Sequence, residues 1–127
     1  MIIFLLLVSG CSTKKDSYLN RTGQAVSTKY NVLYNGNLAF DEAKKQLDAS
    51  YEDNFYEILP IEPIKIEDDI PLPGQSQSTS PIKQGFEKSE EKAVKAVQKH
   101  SMVIDGYERN EQIDDAYLLL GKSRYYS

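Results

Sequence analysis

A single cysteine, Cys11, and a single histidine, His100, occur among the 127 residues. One cysteine leaves no internal disulfide framework. One histidine leaves a metal site dependent on several carboxylates, and it supports no Ser/His/Asp arrangement. A glycine-rich phosphate loop is also missing. The formal net charge is −4, and no basic stripe exists to displace counterions from phosphates. Nucleic acid is therefore not an expected partner. Lys92, Lys95, Lys99 and His100 share one helical stretch, but Glu87, Glu90 and Glu91 dilute it into a mixed solvated face. Asp68-Asp69 and Asp114-Asp115 are adjacent pairs, whose side chains diverge as solvated residues do. These absences predict no catalytic residue, no metal and no cofactor, and so a chain that is not an enzyme.

A membrane-spanning run is lacking as well. The apolar stretch Ile2 to Val8 falls far short of the about 20 residues a transmembrane helix needs. It leads instead into Leu7-Val8-Ser9-Gly10-Cys11, which has the form of a bacterial lipobox. Small side chains at Ser9 and Gly10 admit a peptidase to the backbone. The Cys11 thiol would take a diacylglycerol, and cleavage would leave Cys11 as the acylated first residue. Secretory signals usually begin with positive charge, and no charged residue precedes Cys11. An unmodified cysteine and a buried N-terminal segment are the competing readings. Ser12-Thr13-Lys14-Lys15-Asp16 is a poor continuation of a core strand. The expected layout is a signal peptide at 1–10 and an acylated tether at 11–22, with Cys11 as the lipidation site.

All five prolines fall between Pro60 and Pro81, a window that also holds Gly74-Gln75-Ser76-Gln77-Ser78-Thr79-Ser80. Proline fixes φ and lacks an amide donor, so this window is not helical. Residues 60–82 therefore read as a Pro/Gln/Ser-rich linker. Ile61, Ile64, Ile66, Ile70 and Leu72 nearly alternate, which leaves two readings open: a solvated linker, or a strap across a neighbouring surface.

Before the linker, residues 23–59 are expected to form a helical hairpin. Val26, Tyr30, Leu33 and Tyr34 recur at helical spacing. Asn35-Gly36 should stop that helix, and Asn37 should cap the next. The second face would be Phe40, Ala43, Leu47, Tyr51 and Phe55. After the linker, residues 83–127 are expected to form a helical pair. Phe86, Ala93, Val94, Val97 and Ile104 make one face, with Glu91 and Lys95 as an i,i+4 pair. Asp105-Gly106 marks the turn. Ile113, Tyr117, Leu120, Gly121, Arg124 and Tyr125 begin another helix. Its apolar residues run to the last turn, so the chain is expected to continue C-terminally beyond Ser127.

Ala116-Tyr117-Leu118-Leu119-Leu120-Gly121-Lys122-Ser123-Arg124-Tyr125 resembles the first helix of a tetratricopeptide repeat, with Arg124 where tyrosine is usual. An ordinary amphipathic helix is the competing reading. Further stretches join it: Cys11-Ser12-Thr13-Lys14-Lys15, Leu19-Asn20-Arg21, Tyr30-Asn31-Val32-Leu33-Tyr34-Asn35-Gly36-Asn37, Asp53 to Pro60, and Lys99-His100-Ser101-Met102. In this order they are similar to the N-terminus of the tetratricopeptide lipoproteins of gliding motility and type IX secretion. The resemblance implies an all-α fold of repeat-type hairpins and an outer-membrane lipoprotein facing the periplasm. It also implies a scaffold that binds protein components of the secretion or motility machinery, with no small-molecule substrate. Only Cys11 carries over as a functional position. Two alternatives stand beside it: a tetratricopeptide lipoprotein of another envelope machine, such as outer-membrane protein assembly, or an anchor for a catalytic domain beyond residue 127.

Overall fold

A computed structural model of the chain describes residues 13–62 and 80–127. The expected signal peptide, Cys11 and residues 63–79 of the expected linker lie outside the described residues. The fold is mostly helical, as expected, with one two-stranded hairpin.

The first helical region is α1 (Tyr18–Ser27), a π-helical segment (Thr28–Leu33) and α2 (Tyr34–Ser50). The backbone stays right-handed helical through both junctions. The expected stop at Asn35-Gly36, the cap at Asn37 and the hairpin over 23–59 are therefore corrected to one unbroken helical rod. Two causes are visible. The Asn35 amide donates to the Asn31 carbonyl, and Asn37 Nδ2 donates to the Leu33 carbonyl at 3.0 Å. Their side chains thus back-bond along the helix instead of competing with it. Gly36 is buried, and a Cβ there would stand 2.8 Å from Leu119 Cδ2 and 3.2 Å from Lys92 Cβ. Its lack of a side chain serves close helix packing, which offsets the roughly 1 kcal/mol that glycine costs inside a helix.

The π-helical segment shifts the phase of the buried stripe. Gln24, Thr28 and Val32 face inward at intervals of four. Leu33 then takes over, followed by Gly36, Ala39 and Ala43. The wide turn lets the adjacent Val32 and Leu33 both point to the core. Straight helical spacing misses this shift. Val26, Tyr30, Tyr34 and Phe55, expected in the core, are exposed instead.

Helix α3 (Pro81–His100) starts at the edge of the expected linker. Ser80 Oγ accepts from the Lys83 amide at 3.2 Å, and Pro81 occupies the first turn, where its missing donor costs nothing. The helix ends at His100, so Ile104 belongs not to its face but to strand β1 (Val103–Ile104). That strand pairs antiparallel with β2 (Tyr107–Glu108), Val103 facing Glu108 and Ile104 facing Tyr107. Asp105 and Gly106 both have positive φ, 53° and 81°. This Asp-Gly pair suits a tight two-residue hairpin turn, and the expected turn is in place.

Helix α4 (Ile113–Tyr126) returns along α3. Its buried face is Ile113, Ala116, Leu119 and Ser123; of the expected residues Ile113 is buried and Leu120 partly so, while Tyr117 and Tyr125 are exposed. A Cβ on Gly121 would meet nothing within 4 Å; Gly121 is not a point of close helix approach among the described residues. Glu90 reaches across to Arg124 at 2.7 Å, while the expected Glu91–Lys95 pair is absent from the ion pairs of the described residues.

α3 lies between α2 and α4 and runs antiparallel to both. Gly36 approaches Ser89 and Lys92, and Ala43 approaches Gly85. Ser123 Oγ donates to Ser89 Oγ at 2.9 Å. Small residues line these contacts: Gly36, Ala39 and Ala43 on α2, Ser89, Ala93 and Ala96 on α3, and Ala116 and Ser123 on α4. The helices can therefore approach closely. The central core joins Val32, Leu33, Ala93, Ala96, Ala116 and Leu119. Gly85 tests this close packing, since a Cβ there would lie 2.7 Å from Ala43 Cβ. Neither methyl can rotate away. Gly85→Ala should gain about 1 kcal/mol in helix propensity yet lose more by overpacking, about 1–3 kcal/mol. Urea unfolding should show a net loss. A stabilised variant would mean that α2 and α3 are not in close contact there.

Candidate protein-binding groove

Helices α2 and α4 both pack on α3 and also touch each other, running parallel. Gly36 meets Leu119 and Phe40 meets Tyr126 along the way, and before them Thr28 of the π-helical segment meets Asn110 of the α3–α4 loop. Between them lies a groove of about 430 Å³. Leu33 and Leu119, both nearly fully buried, form its floor. Lys29, Tyr30, Tyr34 and Asn37 make one wall, and Gln112, Asp115, Leu118 and Lys122 make the other. Tyr30, Tyr34 and Leu118 are 68, 61 and 57 % exposed. Large side chains standing this free over an apolar floor leave contact surface unspent. Lys29 and Lys122 form no ion pair with any described residue, and Lys29 Nζ stands 5.7 Å from the Tyr30 ring. Apolar floor, aromatic walls and convergent polar groups together make this groove a candidate binding surface.

Two devices hold the groove walls. At one end Asn110, 1 % exposed, donates through Nδ2 to Thr28 Oγ1 at 3.0 Å and to the His100 carbonyl at 2.8 Å. Its Oδ1 accepts from the Gln112 amide at 3.1 Å, at the start of α4. Thr28 Oγ1 in turn donates to the Gln24 carbonyl, and His100 Nδ1 lies 2.7 Å from Gln24 Oε1. Glu108 gathers the loop by accepting from the Met102 and Asn110 amides and from the Ser101 hydroxyl. At the other end Phe40, Phe86 and Tyr126 form a ring cluster with centroids 5.2–5.6 Å apart. Lys44 sits over the Tyr126 ring and bonds Glu62 at 2.8 Å, and the Tyr126 hydroxyl donates to the same carboxylate. The hydrogen bond to Glu62 raises the lysine above its ordinary range, and the same bond lowers the Glu62 carboxyl. Residues 51–62 thus return from the end of α2 and are moored at Glu62.

Two shifts in the α3–α4 loop share one sign. Burial, with Lys95 and Lys99 nearby, pushes His100 below the ordinary histidine range. Burial alone would raise Glu108, but the Ser101 hydroxyl and the Asn110, Met102 and Arg109 amides hold its carboxyl below the usual carboxylate range. In both cases the unfolded chain binds the proton more readily. The stabilisation is therefore present at higher pH and lost as pH falls. The expected urea midpoint declines first as pH drops through about 6.5, from His100, and again below about 4.3, from Glu108. His100→Gln should remove the first decline and Glu108→Gln should lessen the second, to which the lowered Glu62 also contributes. A midpoint constant from pH 7 to pH 3 would contradict both shifts.

Of the residues singled out in the sequence, Cys11 and Asp68-Asp69 lie outside the described residues. His100 is in the loop network. Asp114 and Asp115 fall in the first turn of α4, where negative charge suits the helix dipole, and Asp115 also rims the groove. Among the described residues no group of three potential metal ligands occurs, and no helix is long and apolar enough to cross a membrane. The groove itself was not visible as a spacing pattern. Its tyrosines resemble core residues until the π-helical segment shifts the stripe. No protein-family model matches the chain, and no curated protein matches it.

Proposed function

We propose that this chain is a membrane-tethered scaffold of the bacterial cell envelope that binds other proteins through the α2–α4 groove. The groove is the observation that carries this reading: exposed tyrosines and leucine over an apolar floor, with two lysines that form no ion pair among the described residues. The tether is an acylated Cys11, supported by the lipobox sequence. The multiple acyl chains of a lipoprotein cysteine hold far better than the marginal anchoring of a single chain. In this reading α2, α3 and α4 act as tetratricopeptide-type helices, the outer two presenting a shared inner surface, as helical repeats do. The resemblance to gliding-motility and type IX secretion lipoproteins supplies the setting. The protein sits on the periplasmic face of the outer membrane, performs no catalysis, and connects components of the secretion machinery.

The test is a strain carrying Cys11→Ala at normal protein level, compared with a deletion strain. Fatty-acid labelling should vanish in Cys11→Ala and the protein should leave the membrane fraction. Surface delivery of secreted adhesins should fall in both strains. Equal labelling of wild type and variant would reject the tether. Full secretion in both strains would reject the type IX setting.

A further inference from the structure

The segment that leaves α2 is itself unusual. Phe55, Tyr56, Ile58 and Ile61 are 79, 100, 99 and 102 % exposed, so four large side chains are left uncovered by the described residues. A turn closes at Asn54, whose carbonyl accepts from the Glu57 amide at 3.1 Å and whose Oδ1 accepts from the Tyr56 amide at 3.2 Å. The chain then runs without helix or strand to Glu62. Glu52, Asp53 and Glu57 punctuate it, and none of the three forms an ion pair among the described residues. The segment thus offers apolar side chains and unpaired carboxylates. The groove offers a complement, an apolar floor and aromatic walls with two ammonium groups, Lys29 and Lys122, that have no ion-pair partner among the described residues, against one carboxylate, Asp115.

We infer that residues 53–61 of one copy dock in the α2–α4 groove of a second copy. The inference rests on reading the groove as a protein-binding surface. From Lys29 to Asn37 the groove wall is about 12 Å long at 1.5 Å per helical residue, so about four residues of the nine lie in it at once. The segment does not occupy its own groove. It is moored at Glu62 to Lys44 and Tyr126, past the Asn37 end of the groove and about 22 Å along the helical rod from Lys29 at its far end. Donor and acceptor surfaces therefore lie at different places on the molecule, and the contact is head-to-tail, able to extend from copy to copy. A scaffold built this way would line up along the membrane that anchors it.

Cross-linking in cells with the full chain tests this. A photoreactive amino acid replaces Leu118 in a copy with one epitope tag, and a copy with a second tag and Leu118 intact is co-expressed. The expected product joins position 118 of the first copy to residues 53–61 of the second, in adducts that carry both tags. Lys29→Glu with Lys122→Glu should lower that yield about tenfold, as charge reversal at a rim contact does. Adding Asp53→Lys and Glu57→Lys should restore it, which a merely misfolded groove would not allow. Cross-links only to a different protein would overturn self-docking while leaving the groove a binding surface. No cross-link at all would overturn both.

Discussion

Phe86→Ala is expected to remove about 3–5 kcal/mol of folding free energy, the usual cost of deleting a buried phenylalanine. Phe86 is 1 % exposed. Its ring stacks on Tyr126 with centroids 5.2 Å apart and meets Phe40 edge-on at 5.4 Å. Neither neighbour can fill the space alone. Phe40 is fixed on α2, and Tyr126 is held by its hydroxyl to Glu62. The loss is large against the roughly 5–15 kcal/mol that holds a small domain together. The urea midpoint should fall sharply while its slope stays unchanged. Phe86→Leu, which keeps most of the volume, should cost under about 1.5 kcal/mol. The local consequence is as informative as the global one. With Tyr126 loosened, the mooring of residues 51–62 weakens, and protease should cut there sooner in Phe86→Ala than in Phe86→Leu. A loss below 1 kcal/mol would mean the aromatic cluster is not a packed core.

The same residues show why sequence reading succeeds in one half of this chain and fails in the other. Asp105-Gly106 and Asn35-Gly36 look alike on paper. At Asp105-Gly106 nothing competes with the left-handed conformation, and the turn forms. At Asn35-Gly36 the glycine is needed for close approach to Leu119 and Lys92, and tertiary packing overrides the local stop signal. Ala43 carries a related lesson. Ala43 packs against Gly85 on α3, a pairing across the linker that no local spacing announces. Helix content and the linker edge at Ser80-Pro81 are written in local chemistry. Which face is buried depends on the π-helical segment, and no local pattern announces it. On α4, the exposed Tyr117 and Leu118 outrank the buried Ala116 and Ser123 in hydrophobicity. Small residues bury because the helices pack closely, and the large ones are left to the groove and the surface.

The opposite end of the fold rests on a polar side chain. Asn110→Ala is expected to cost about 2–4 kcal/mol, since it deletes three hydrogen bonds at about 1 kcal/mol each and leaves buried partners unpaired. The His100 carbonyl loses its Nδ2 donor, and the Gln112 amide loses its acceptor at the start of α4. Thr28 keeps its bond to the Gln24 carbonyl, so its share of the cost is smaller. Asn110→Asp should not rescue the loss. It preserves an acceptor for the Gln112 amide but replaces the donor to Thr28 and His100 with a buried negative charge, which is expensive without a partner. A double-mutant cycle with Thr28→Val isolates the link between α3–α4 loop and helical rod, and a coupling of about 1 kcal/mol is expected. Hydrogen exchange should then accelerate in residues 24–32 and 100–113, while the helix turns around Phe40 and Phe86 stay protected. Lys29, Tyr30 and Gln112 stand on the two groove walls next to this network. Partner binding should therefore weaken in Asn110→Ala even where the protein remains folded. Uniformly faster exchange along the whole chain would instead show that Asn110 supports the fold at large and has no special hold on the groove.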